Sequence, residues 1–142
     1  MTPLQVGERV QRVEIDVTLR RMIVNVGAGW DFFPGHHDVD YARDHGHPTI
    51  FANTSLFLAL ADRVLTDWAG PRARIVRRRL TMRRPVHLGD VMYGEGEVVA
   101  VRGDDDEPHQ VDVTLRLGNG GGVCADAEAT VELPGSQLSP RA

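Results

Sequence analysis

Asn53-Thr54-Ser55-Leu56-Phe57-Leu58-Ala59-Leu60-Ala61-Asp62-Arg63-Val64-Leu65-Thr66-Asp67-Trp68 is the stretch on which the fold turns. Asn53 or Thr54 supplies an N-cap, Gly70-Pro71 a stop, and sixteen residues at 1.5 Å each give a helix of about 24 Å. From Leu56 to Ala61 the run is apolar almost all round, so the helix is expected to be sheathed by a sheet. Its wet side comes later, with Asp62, Arg63, Thr66 and Asp67.

C-terminal to the helix the chain alternates with period two. Arg74 to Arg84 sets Val76, Leu80 and Met82 on one face and Arg77, Arg79 and Arg83 on the other. Pro85 to Asp90 turns into Val91 to Val101, where Gly94 and Gly96 suit bending or close packing. An acidic hairpin loop, Asp104 to Pro108, leads to Val111, Val113, Leu115 and Leu117. After Gly118 to Gly122, the positions Val123, Ala125, Ala127, Ala129, Val131 and Leu133 form a last buried face. One long helix and four such strands imply an α+β fold, an antiparallel sheet curled around a helix.

Before the helix, residues 1 to 9 are an entry segment, and Val13, Ile15 and Val17 alternate with Arg12, Glu14 and Asp16 as a half-buried strand. Thr18 can cap a short helix through Leu19, Met22, Ile23 and Val26, ended by Gly27 and Gly29. Asp38 or Asp40 can cap one further turn through Tyr41 and Ala42, closed at Gly46. His45 and His47 flank that turn as expected surface or capping residues.

Between those helices lies Gly29-Trp30-Asp31-Phe32-Phe33-Pro34-Gly35-His36-His37-Asp38-Val39-Asp40-Tyr41. Pro34 fixes its own φ, discourages helix at Phe33, and with Gly35 bends the chain between Asp31 and His36. A carboxylate and an imidazole facing one small volume make a candidate general acid/base pair. A polar loop whose histidines cap backbone groups is the alternative reading of the same residues.

The 142 residues make one ordinary domain, expected over residues 1–134 with a disordered tail at 135–142. The single Cys124 excludes an internal disulfide and a Cys-based zinc site and is expected as a small buried hydrophobe. No apolar run reaches the roughly 18 residues of a membrane span and the N-terminus has no signal core, so a cytoplasmic protein without membrane contact is expected. The net charge of −4 argues against nucleic acid. All sixteen basic residues are Arg, seven of them between Arg72 and Arg84. That cluster suits either the phosphates of a coenzyme A or carrier-protein arm, or a solvated face paired with acidic neighbours. Four histidines lie between His36 and His47, but no helical His-Glu-x-x-His pair is present, and no metal site is expected.

The run Asp31-Phe-Phe-Pro-Gly-His36-His-Asp38, with Tyr41-Ala42 after it, resembles the hydratase motif of the MaoC-like (R)-specific enoyl-CoA hydratases and dehydratases. Pro85-Val86-His87-Leu88-Gly89-Asp90 is similar to that family's Pro-Val-x-x-Gly-Asp turn. Ile50-Phe51-Ala52-Asn53 and Thr66 to Pro71 resemble, more narrowly, the small subunit of bacterial steroid side-chain enoyl-CoA hydratases. The resemblance implies the hot-dog fold and reversible hydration of a 2-enoyl thioester, a CoA or acyl-carrier substrate with a bulky acyl group among the candidates. It implies catalytic Asp31 and His36 and no cofactor beyond the CoA of the substrate. Many relatives carry His-Gly where the central helix begins and use the Gly N–H to bind the thioester oxygen. Aligned without gaps, this chain has Asn53-Thr54 there, which become its candidate oxyanion and substrate-binding residues. Arg77, Arg79 and Arg83 become candidate CoA-binding residues. A thioesterase on the same fold and a non-catalytic partner subunit remain as alternatives. The apolar helix and the resemblance together imply a dimer, either a heteromer with a second MaoC-like subunit or a homodimer.

Overall fold

The computed structural model describes residues 4–103 and 109–134; the expected acidic loop at 104–108 and tail at 135–142 lie outside the described residues. The order is β1 (Arg9–Asp16), α1 (Leu19–Gly29), a 3-10 turn (Pro34–His36), α2 (Val39–Asp44), α3 (Thr54–Ala69), β2 (Arg74–Met82), β3 (Val91–Arg102), β4 (His109–Asn119) and β5 (Gly122–Leu133). All five strands form one antiparallel sheet in the order β1-β3-β4-β5-β2. The sheet curls around α3, which is the hot-dog fold expected from the sequence.

Helix α3 starts where its cap predicts: the Asn53 side chain accepts from the Leu56 N–H at 3.1 Å, and Gly70 ends it at φ +83°. Leu56, Phe57, Leu60, Ala61, Val64 and Leu65 are buried against the strands. Their apolar area, at roughly 25 cal/mol per Å², is the main force holding sheet to helix. The helix is not sheathed all round, however. Ala59 is exposed and Leu58 only half-buried, because five strands reach around one side of α3 and stop.

Curling brings backbone close to the helix, and the expected role of the strand glycines is visible. A Cβ on Gly94 would sit 2.8 Å from Val64 Cγ2, and one on Gly96 2.5 Å from Leu115 Cδ2. The first contact forces sheet and helix apart, and the second, with Thr114 O also at 2.6 Å, crowds the neighbouring strand β4. Cys124 is fully buried, as expected.

The face assignment on β2 needs correction. A register shift between Ile75 and Arg77 resets the alternation. Ile75 and Leu80 become the half-buried positions while Val76 and Met82 stand 44 % and 40 % exposed. Pattern alone cannot show where an edge strand inserts the extra residue of a bulge.

Other caps agree with the sequence. Thr18 accepts from the Arg21 N–H at 3.2 Å, and Asp38, rather than Asp40, caps α2 by accepting from the Tyr41 N–H at 3.0 Å. The expected stop of α1 is corrected: Gly27 and Gly29 lie inside the helix, which runs to Gly29, and Trp30 ends it in the left-handed conformation at φ 53°.

Polar side chains on the outer face are tied across strands. Asp112 accepts from Arg102 at 2.5 and 2.7 Å and from the Thr130 hydroxyl at 2.8 Å. The Arg102 bonds, then the Thr130 bond, hold its carboxyl down to about 2. A carboxylate with a depressed native pKa stabilises the fold above its unfolded value and loses that contribution as pH falls through the native one. Asp112→Asn should therefore be less stable than wild type above about pH 4, and the two denaturation midpoints should converge toward pH 2. Parallel curves across that window in a urea series would refute the linkage.

Candidate active site

At the end of the curled sheet where α3 begins, three segments lie against one another. The extended segment Ile50–Asn53 runs between the 3-10 turn and the Pro85–Asp90 turn. Phe51 N–H donates to Gly35 O at 3.0 Å, Ala52 N–H to Val86 O at 2.8 Å, and Leu88 N–H to Ile50 O at 3.0 Å. The Pro85–Asp90 turn is itself fixed by Asp90, whose carboxylate accepts from the His87 N–H at 2.9 Å and from Asn119 Nδ2 at 2.8 Å. Gly35 is required here. A Cβ on it would meet the Phe51 ring at 2.5 Å.

These backbone contacts aim His36. Its ring is buried, at 5.1 Å from the Phe51 ring and 5.4 Å from the Phe33 ring, both edge-on. Nδ1 lies 2.8 Å from the Phe51 carbonyl oxygen. A carbonyl can only accept, so Nδ1 carries a proton, and in the neutral ring Nε2 presents a lone pair. That lone pair faces Asp31, with Nε2 3.6 Å from Oδ2. The gap is too long for a direct hydrogen bond. Two acceptors facing one another across it define a place for a donor, such as a water or hydroxyl, held by both. The Asp31 side chain is 42 % exposed and the His36 side chain 11 %, so the pair opens toward solvent from the carboxylate side.

Asn53 adjoins this pair. It is 4 % exposed, its Oδ1 is committed to the helix cap, and Nδ2 has no hydrogen-bond partner. A small gap beside it is lined by His36, Ala52, Asn53 and Leu56. An unsatisfied buried donor costs about 1–3 kcal/mol, which a ligand acceptor recovers. Thr54, the first residue of α3, is exposed at the helix N-terminus, where backbone N–H groups lack intrahelical partners.

Neighbouring side chains divide between expected and unexpected roles. His37 is exposed and its Nε2–H donates to Phe32 O at 3.1 Å, bracing the loop. His45 caps, its Nδ1–H donating to Tyr41 O at 2.8 Å. His47 is not a surface residue. It is half-buried, its ring 4.2 Å from Phe51, and its Nδ1 meets His87 Nε2 at 3.1 Å. Burial, then the facing His47, push the His87 pKa down against the pull of Asp90. Ser55 Oγ donates to Asn25 Oδ1 at 2.7 Å, joining α1 to the start of α3. Forty residues separate His47 from His87 and thirty separate Asn25 from Ser55, and no local pattern marks either contact.

The candidate CoA arginines sit elsewhere, Arg77 and Arg79 on β2 and Arg83 just past its end. Arg77 pairs in register with Thr130 and Arg79 with Glu128, and Arg83 is ion-paired with Asp126. No contact joins them to Asp31 or His36 among the described residues.

A curled antiparallel sheet around one helix, with a loop imidazole and carboxylate at the helix N-terminus, defines a hot-dog domain with a candidate acid/base site. The family described as MaoC like domain matches residues 3–119, and the chain belongs to that family. Over 71 residues it is 41 % identical to the 3-oxo-4,17-pregnadiene-20-carboxyl-CoA hydratase beta subunit of Mycobacterium tuberculosis; the match spans 50 % of this chain and 55 % of that protein. Among solved structures, the ChsH1-ChsH2 complex of the same organism superposes with TM-score 0.83 at 28 % identity, covering 94 % of this chain and 99 % of that one. The (R)-hydratase from A. caviae involved in PHA biosynthesis superposes at 0.85 with 25 % identity, covering 94 % and 100 %.

The His36 geometry makes a spectroscopic prediction that needs no substrate. Long-range ¹⁵N–¹H spectra at neutral pH should show His36 as the Nδ1–H tautomer. An Nε2–H signature would mean that the Phe51 carbonyl does not orient the ring.

Proposed function

We propose that this chain catalyses the reversible hydration of a 2-enoyl-CoA to a 3-hydroxyacyl-CoA. The observation that carries the reading is the pair of acceptors, His36 Nε2 and Asp31 Oδ2, held 3.6 Å apart and aimed at one another. A water that bridges them from the side is oriented by both, loses a proton to the pair and adds through oxygen at C3. The proton goes to C2. Atoms balance with water as the sole co-reactant, so the reaction as written calls for no metal or cofactor. The thioester oxygen gathers negative charge as C3 is attacked, and we assign its stabilisation to Asn53 Nδ2 and the N–H of Thr54 at the start of α3. Similarity to proteins named as hydratases supports the same chemistry.

The reading extends to assembly. Trp30, Phe32 and Phe33, at 83 %, 57 % and 46 % exposure, surround Asp31, and Val76 and Met82 stand out along the unpaired edge of β2. So much exposed apolar surface next to an open site suits a second MaoC-like subunit. The ChsH1-ChsH2 structure is named as a complex. A steroid side-chain or similarly bulky acyl group fits the relative's name. For the CoA arm we keep Arg77 and Arg79 as phosphate ligands and give Arg83 a lesser part, since Asp126 already engages it.

Crotonyl-CoA and a steroid-type enoyl-CoA, with and without a candidate MaoC-like partner, test the activity. Asp31→Asn and His36→Ala should each lower kcat by at least about 10²-fold with the fold retained. His37→Ala should be milder, since its bond braces the loop from outside. Near-normal hydration by either dyad variant would remove the mechanism. Asn53→Asp keeps the helix cap but exchanges the donor for an acceptor, so kcat should fall about 10²- to 10³-fold. Replacing Arg77 and Arg79 by Gln should raise KM more than it lowers kcat. Light scattering decides assembly: a fully active homodimer indifferent to the partner would leave no room for the heteromer.

A further inference from the structure

The side of α3 that the sheet leaves open faces α1 across a groove of about 580 Å³. Ile15, Val24, Ala28, Leu56, Ala59 and Leu60 make its walls apolar. The groove meets the dyad end through Asn25 and Leu56, which also line the small gap beside His36 and Asn53. Away from the dyad it reaches Arg20 and Arg21 on α1 and Arg63 on α3. Along α3, Leu56 and Arg63 are seven residues apart, about 10 Å. No carboxylate lines the groove among the described residues.

Resting on the hydratase reading, we propose that this groove holds the acyl arm of the thioester and that Arg20, Arg21 and Arg63 select acyl chains ending in a carboxylate. The walls decide which arm enters. A hydrocarbon chain buries its surface against the leucines and valine, whereas the two amides of a pantetheine arm need partners there. Side-chain acceptors of the groove are already engaged: Asn25 Oδ1 near the dyad end accepts from Ser55, and Thr18 Oγ1 toward the far end accepts from the Arg21 N–H. The far end answers a charge. The Arg63 pair with Asp67, at 3.3 Å between side chains more than half exposed, is weak enough to exchange for a ligand carboxylate. Arg21 is partly engaged by the Asp16 carbonyl, and Arg20 has no ion-pair partner among the described residues. Exposed ion pairs are individually weak, so the three guanidiniums act together, and a carboxylate held among them gains roughly tenfold.

The test compares medium-chain trans-2-enoyl-CoA thioesters that differ only in ending in methyl or in carboxylate, using the full chain with its partner where one is needed. At the chain length that spans the groove, kcat/KM should favour the carboxylate by about tenfold or more, and the preference should shrink as salt is raised. The same preference should appear in N-acetylcysteamine thioesters, which lack phosphates; if it vanishes there, the arginines serve the CoA arm and the proposal falls. In Arg20→Gln/Arg63→Gln the ratio between the two substrates should approach one, with partial return in Arg63→Lys. Because the ratio is read on one protein, a folding defect lowers both substrates alike. Equilibrium binding of the saturated thioesters separates this inference from the hydratase reading. If neither enoyl thioester is hydrated but the carboxylate-ended ligand still binds about tenfold tighter in wild type alone, the activity fails and the anion site stands. Equal binding of both ends overturns the proposal whatever the activity.

Discussion

A single sheet must close around a single helix, and that constraint governs the rest of this domain. Phe57, Leu60, Val64 and Leu65 are buried because β1, β3, β4, β5 and β2 bend past them, and the bend needs bare backbone at Gly94, where a side chain would strike Val64. Closure is incomplete in two places, the helix N-terminus and the flank facing α1. Both become useful. The N-terminus is where free N–H groups, the Asn53 amide and His36 gather, and the flank is the apolar groove.

The open end is sealed by backbone pairing. Ile50–Asn53 is extended because Gly35, Val86 and Leu88 bond to its amides and carbonyls, and the Phe51 carbonyl left over is the one that takes the His36 Nδ1 proton. Scaffold and chemistry therefore share a peptide unit. The Pro85–Asp90 turn acts on the site through the same segment without supplying a side chain to the dyad.

Local rules made much of this legible beforehand. The N-caps at Thr18 and Asn53, the stop at Gly70 and the alternating burial of β4 are properties of neighbouring residues, and they read directly from the sequence. Asp31 and His36 were legible too, since Pro34 and Gly35 force the bend that sets them face to face. The Val76 bulge was not, because either phase of β2 satisfies the same alternation until β5 fixes the register. Nor was the move of His47 inward. Its place depends on Phe51 and His87, which reach it only once the Pro85–Asp90 turn has folded back on Ile50–Asn53.

Asn53 shows why a cap residue at such a site carries more than a local role. Serine, threonine or aspartate would cap α3 equally well, because the cap needs one acceptor. An amide adds a donor atom separate from the capping oxygen, and with Oδ1 held by the Leu56 N–H, Nδ2 stays buried and unpaired beside the gap that His36 and Asn53 line. The unsatisfied donor is a standing cost to the fold. Aspartate would cap α3 without leaving a donor unpaired, so the amide fits a bound acceptor in the working state. That acceptor must lie within reach of both Asn53 and the water site between His36 and Asp31. A thioester carbonyl conjugated to the carbon under attack meets both demands at once, whereas a thioesterase, attacking the carbonyl carbon itself, would need the dyad and the amide to converge on the same carbonyl group.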